Sequence, residues 1–134
     1  MSMAPRRPQS VKVAIVLLVA SLVLGFAMTV LRPLPNAPGV PSWFVPVVGA
    51  STFVIMVLLV FAIAFGRFWA VVVFAVLFVI GLPSMILALR AHPPGDESLV
   101  VVLIQTLGQG AALVALFVPT ARAWFRAARA ARAA

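Results

Sequence analysis

The chain has 134 residues, of which 65% are hydrophobic and only 9% charged, with a formal net charge of +8. A soluble domain carries about 45–50% apolar and about 25% charged residues, and so short a chain has too much surface to hide the excess, so a water-soluble globule is excluded and lipid is the expected solvent. The absence of cysteine excludes disulfides, thiol redox chemistry and thiolate metal sites.

A membrane span needs about 20 consecutive apolar residues, because a helix rises about 1.5 Å per residue across about 30 Å of hydrocarbon. The first span is expected over residues 13–31. Its apolar run exceeds the roughly 7–15 residues of a signal-peptide core, so it reads as a retained helix rather than a cleaved leader. Ala14, Ser21, Gly25 and Thr29 share one face of it. The following "RPLPNAPGVPS" holds four prolines, which favour an extended, polyproline-like connection. The second span is expected over residues 43–65, with Ser42 as its N-cap and Pro46 in its first turn. Gly49, Thr52 and Met56 form its small and polar strip.

Gly66 and Arg67 in "FGRF" mark a tight turn, since residues 43–89 unbroken would be far too long for one crossing. The third span is expected over residues 68–89 and contains "VIGLPSM". Pro83 has no N–H and leaves the carbonyl of Val79 without its helical donor, so with Gly81 nearby a kink is expected. A Pro-Gly turn in "RAHPPGDES" holds the only two acidic residues. His92, Asp96 and Glu97 read as a solvated loop, because a tight metal site needs more ligands at fixed geometry. The fourth span is expected over residues 99–118, and a basic tail over residues 120–134.

Lys and Arg are retained on the cytoplasmic side of a membrane. Eight of the ten basic residues (Arg6, Arg7, Lys12, Arg67, Arg122, Arg126, Arg129 and Arg132) fall on one side, against Arg32, Arg90 and both acids on the other. Both termini are therefore expected in the cytoplasm. Trp43, Trp69 and Trp124 all fall at span ends, as an aromatic belt at the lipid interface requires. Arg provides nine of the ten basic residues, which with heavy Ala, Val and Pro usage points to a GC-rich bacterial genome.

No Asp, Glu, Lys, Arg or His lies inside the four spans, and such residues are the usual mark of proton relays and ion coupling. That speaks against a small multidrug exporter, which depends on a membrane glutamate. It also speaks against a haem-binding bundle, which needs helix histidines. Small fluoride channels match in size but not in charge bias. No nucleophile–base pair, phosphate loop or paired carboxylate is present. The chain is read as non-enzymatic, with no catalytic, cofactor-binding or metal residues.

Polar residues in lipid concentrate in "VLIQTLGQGAALVALF". Gln105, Gly108, Gln109, Ala112 and Ala115 share one face, and Leu103, Leu107, Val114 and Phe117 the other, so the first face is expected to pack and the second to meet lipid. Gln105 and Gln109 lie at the depth of the Pro83 break, so they are expected to donate to the backbone around Pro83 or to Ser84. The alternative is a polar lining for a small neutral solute, with Gln105, Thr106 and Gln109 near its path.

The exit "LFVPTARAWFRAARAARAA" puts Trp124 and Phe125 at the headgroup layer and clusters Arg122, Arg126 and Arg129 on one helix face, with Arg132 beside them. Each basic residue near an anionic surface adds about 1 kcal/mol of attraction, so anionic lipid is the expected partner and nucleic acid is not. The sharper alternative is a docking helix for an acidic partner. "LFVPTARAWFR" and the hairpin–loop–hairpin layout resemble small four-helix bacterial inner-membrane proteins, which implies a fold but no functional residues. The expected architecture is all-α: one integral domain, an antiparallel bundle of four transmembrane helices in the bacterial inner membrane. The expected role is that of an interaction or accessory protein with a membrane-protein partner or a second copy of itself, as in partner stabilisation or immunity against a membrane-targeting toxin. The competing role is an oligomeric channel or carrier for a neutral solute.

Overall fold

The computed structural model describes residues 6–32, 39–91 and 97–133. They form five helices: α1 (Gln9–Leu31), α2 (Phe44–Ala64), α3 (Phe68–Ala91), α4 (Glu97–Phe117) and α5 (Pro119–Ala133). Four of them, α1 to α4, are long and apolar enough to cross a membrane. The expected spans match these helices to within a few residues. The largest difference is at α1, which starts at Gln9 because Gln9, Ser10 and Lys12 are helical without being apolar. The connections at residues 33–38 and 92–96, including the polyproline stretch and His92 and Asp96, lie outside the described residues.

The helix ends follow backbone chemistry. Ser42 does not cap α2: the N-cap is Trp43 in a right-handed helical conformation, without a side-chain cap. Pro46 does sit in the first turn, where its missing N–H costs nothing. The turn after α2 is a complete Schellman motif. Gly66 takes φ +74°, its N–H donates to Ile63 O and that of Arg67 to Ala62 O, both at 2.9 Å. Pro119 ends α4 by removing a donor and then opens α5 at a position where none is needed. The α3 helix runs on through Pro83 to Ala91.

α4 packs most extensively on α1, while α2 lies against both α1 and α3, and α3 also touches α4. The start of α1, the Gly66 turn and α5 gather at one end: Ser10 Oγ lies 3.5 Å from Thr120 Oγ1 and Arg132 reaches the Gly66 carbonyl. At the other end Arg32 of α1 pairs with Glu97 of α4 at 2.6 Å. That pair is exposed, 55% and 80% for the two side chains. Exposed ion pairs contribute about 0–1 kcal/mol. Arg32→Ala is therefore expected to leave stability within about 0.5 kcal/mol of the parent in a denaturant titration.

The buried core is displaced toward the end that carries α5. Val11, Ala14 and Leu18 of α1 meet Leu59 and Ile63 of α2, Val71 and Phe74 of α3, and Ala112 and Leu116 of α4. α5 closes this core from below with Ala121, Trp124 and Phe125. Large apolar side chains face outward along both halves, among them Val16, Phe61 and Val114 beside the core and Val30, Val48, Val54, Ile80 and Leu87 beyond it.

Candidate functional site

Where the core stops, a cleft begins. It has a volume of about 800 Å³ and runs from Ser42 and Val45 at the α2 start down to Leu18, Val60 and Phe74, which form its floor. Its walls come mainly from α1 and α2, including Gly25, Phe26, Gly49 and Phe53, and α4 contributes Gln105 and Gln109. A second, wholly apolar groove of about 450 Å³ lies along the same α1–α2 seam, lined by Val19, Val23 and Phe61. Phe26 and Phe53 line both spaces. Their rings, 5.1 Å apart between centroids and tilted by 40°, stand between the two.

The polar atoms around the cleft divide into two kinds. Thr29 donates to Gly25 O at 2.9 Å and Thr52 to Val48 O at 2.8 Å, so these hydroxyls are satisfied within their own helices. Thr106 likewise donates to Val102 O at 2.8 Å and is not part of the lining. Gln105 and Gln109 differ, since neither amide makes a hydrogen bond among the described residues. No enclosed polar side-chain atom among the described residues lacks a partner, so these amides are open to the cleft.

The expected contact with the Pro83 break is not made. Neither amide bonds to α3, and Pro83, Ser84 and Val79 are exposed. The reason lies in helix pairing: the short 90–98 connection suggested α3 as the partner of the polar face, but that face turns to α1. A Cβ built on Gly25 would stand 2.9 Å from Gln105 Nε2, and one on Gly108 would stand 3.2 Å from Ser21 Oγ. The small stripe of α1 (Ala14, Ser21, Gly25) and the stripe of α4 (Gly108, Ala112) therefore face one another, as close-packed membrane helices require.

This geometry separates two glycines. Gly108→Leu pushes into the buried Ser21 and is expected to cost about 1–3 kcal/mol by overpacking. Gly49→Ala meets nothing within 4 Å and removes a poor helix former, so stability is expected to be unchanged or slightly raised. Unfolding both variants in mixed detergent micelles checks the contrast.

The outward face of α4 is as expected for Leu107 and Val114, which are exposed, but not for Phe117. Phe117 turns to the ring of Phe68, 6.1 Å away and edge-on, and carries the Arg122 guanidinium 5.5 Å above its centroid. The tryptophans divide as well. Trp43 and Trp69 are 62% and 54% exposed at helix ends, whereas Trp124, expected at the lipid headgroups, is only 8% exposed. It packs on Phe125 and against Gly66, because α5 folds back across the helix ends. Arg122, Arg126 and Arg129 keep more of their surface outward, as a lipid-facing cluster would. Arg132 differs from them, because its two guanidinium nitrogens donate to Phe65 O at 2.6 Å and Gly66 O at 3.0 Å and so hold the end of α2.

No family model, curated protein or solved structure matches this chain. Its function must therefore be argued from the cleft, the core and the charges.

Proposed function

We propose that the protein is a multi-pass component of the bacterial inner membrane, an antiparallel bundle of four transmembrane helices with both termini in the cytoplasm. It acts without catalysis as an interaction or accessory protein. Partner stabilisation and immunity against a membrane-targeting toxin are roles of this kind. The observation that carries the reading is the uneven packing: a closed core at the α5 end, and a cleft flanked by exposed apolar helix faces at the other. A chain built only to occupy lipid has no need of an open half. A floor of packed side chains below Gln109 argues against a pore through one copy. The basic residues support the orientation, and Arg122, Arg126 and Arg129 suit the anionic cytoplasmic leaflet.

The absence of cysteine makes the topology directly testable. Ser42→Cys is expected to react with an impermeant maleimide from the periplasmic side, and Ala130→Cys only after the membrane is opened. The opposite pattern overturns the orientation.

A second reading, a carrier for a neutral solute working as an oligomer, is favoured by the two amides in the cleft wall. Glycerol or urea flux into proteoliposomes decides between them. The accessory reading predicts flux equal to empty vesicles, and flux abolished by Gln109→Leu sinks it.

A further inference from the structure

The cleft has the properties of a ligand site rather than of a gap between loosely packed helices. Its volume of about 800 Å³ lies within the roughly 300–1,000 Å³ of small-molecule pockets. Among the described residues its walls are largely apolar and no ionisable side chain lines it; apart from the Ser42 hydroxyl at its outer end, the polar side chains not already bonded within their own helices are two amides close together on α4. Gln105 and Gln109 are one helical turn apart, so they present four N–H donors and two acceptor oxygens to one spot. An amide facing hydrocarbon without a partner is costly, which favours an occupant that brings its own polar group.

Polar chemistry decides what kind of occupant this is. A transmembrane helix of a partner or of a second copy already bonds its backbone groups internally, whereas a lipid's hydroxyl, ester or amide head brings free donors and acceptors to the two amides on a flexible chain. With no charged side chain among the described lining residues, an ionised headgroup at the amides would be unpaired, and burying it so costs far more than burying a neutral group.

We propose that the cleft binds a neutral single-chain amphiphile from the bilayer. Its hydroxyl, ester or amide head accepts and donates hydrogen bonds at Gln105 and Gln109, and its chain lies between α1 and α2. Phe26 and Phe53 form the wall between this chain and the outer apolar groove. The site rests on the membrane placement proposed above and not on the accessory role: a ligand held here leaves the outer helix faces free for a partner protein.

The test uses the full chain in phosphatidylcholine nanodiscs, with a monoacylglycerol carrying a photoreactive diazirine on its chain. Labelling is expected to be saturable, to map to the cleft walls around Gly49 and Phe53, and to be displaced by unlabelled monoolein but not by phosphatidylglycerol. Gly49→Phe fills open space in the cleft and is expected to abolish that labelling. Gln105→Leu with Gln109→Leu keeps the apolar volume and is expected to weaken monoolein competition on the order of tenfold, while a diazirine-bearing hydrocarbon still labels. Labelling that does not saturate, or that survives Gly49→Phe with the fold intact by circular dichroism, means annular lipid only and overturns the proposal. Equal displacement by phosphatidylglycerol overturns the neutral head. Should Gly49→Phe not fold, competition on the parent chain and on the glutamine variant still decides. A chain that will not enter nanodiscs at all would instead refute the membrane placement.

Discussion

Gly66→Val is expected to cost about 2–5 kcal/mol and to release α5 from the rest of the chain. Two effects combine at this residue. Its φ of +74° is a left-handed conformation that costs an L-residue about 1–2 kcal/mol, and a β-branched one most of all. The added Cβ would also stand 2.8 Å from Ala128 Cβ and 3.3 Å from the Trp124 ring. Neither can withdraw cheaply: one is fixed to the α5 backbone and the other is buried. Relief comes by lifting α5, which breaks the Arg132 bonds to the same turn. With Trp43 and Trp69 replaced by Phe, Trp124 is the remaining fluorophore, and its emission is expected to shift red and become open to an aqueous quencher. Gly66→Asn tolerates the backbone conformation but keeps the overlap, and Ala128→Gly removes the overlap alone. A double-mutant cycle between those two separates the terms. A loss of only about 1–2 kcal/mol, the backbone effect alone, with Trp124 emission unchanged would mean that α5 is not docked.

The sequence made the spans legible because a helix in lipid must be apolar all round for a fixed length, and that length is set by the bilayer. Gly66 was legible for a related reason: a hairpin of two long apolar helices needs a break, and only that stretch offers one. The polar faces could be read, but not the neighbours they turn to. The spacing puts Gln105 and Gln109 on one face of α4 with Gly108, and that face turns to α1 rather than to α3, since sequence spacing gives a residue's angle around its own axis only. The short connection favoured α3, whereas the small residues Ser21 and Gly25 draw α4 to α1. Reading "small residue opposite large polar residue" as a pair would have pointed to Gly25 and Gln105.

The cleft itself carried no sequence signal. It begins where the packed core around Ile63 and Leu116 ends, and no single residue type announces that end. The aromatic tail is ambiguous for a different reason. Trp124 and Phe125 next to a run of arginines fit the lipid interface, and the same pattern fits an amphipathic helix folded onto the protein. Composition cannot separate these, but position can: Arg132 is a full three turns past the start of α5 and meets the α2 carboxyl end, which only a folded-back helix reaches.

Phe125→Ala tests whether that folded-back helix is part of the cooperative fold. Phe125 is 2% exposed, and its ring lies 5.6 Å from Phe68 and 4.9 Å from Trp124, both edge-on. Removing a buried Phe from a packed site costs about 3–5 kcal/mol in a water-soluble protein, where lost transfer energy and the cavity add together. Within hydrocarbon the transfer part vanishes, because lipid tails are as apolar as the core, and only the packing part is left. α5 carries arginines at 122, 126, 129 and 132 in its 15 residues, so on the proposed membrane placement it lies at the aqueous end and the full range applies to Phe125. Phe44, at the other end of the structure and half exposed, is the internal control: its replacement by Ala is expected to stay within about 0.5 kcal/mol. Combining Phe125→Ala with Phe68→Ala should reveal a coupling of about 0.5–1.5 kcal/mol, as expected of an edge-to-face pair. Equal losses at Phe125 and Phe44 would mean that the core is not displaced toward α5, and with it would go the physical reason for an open half. A large loss at Phe125 with a small one at Phe44 would locate the stability of this protein at the end that α5 closes, as the proposed open half requires.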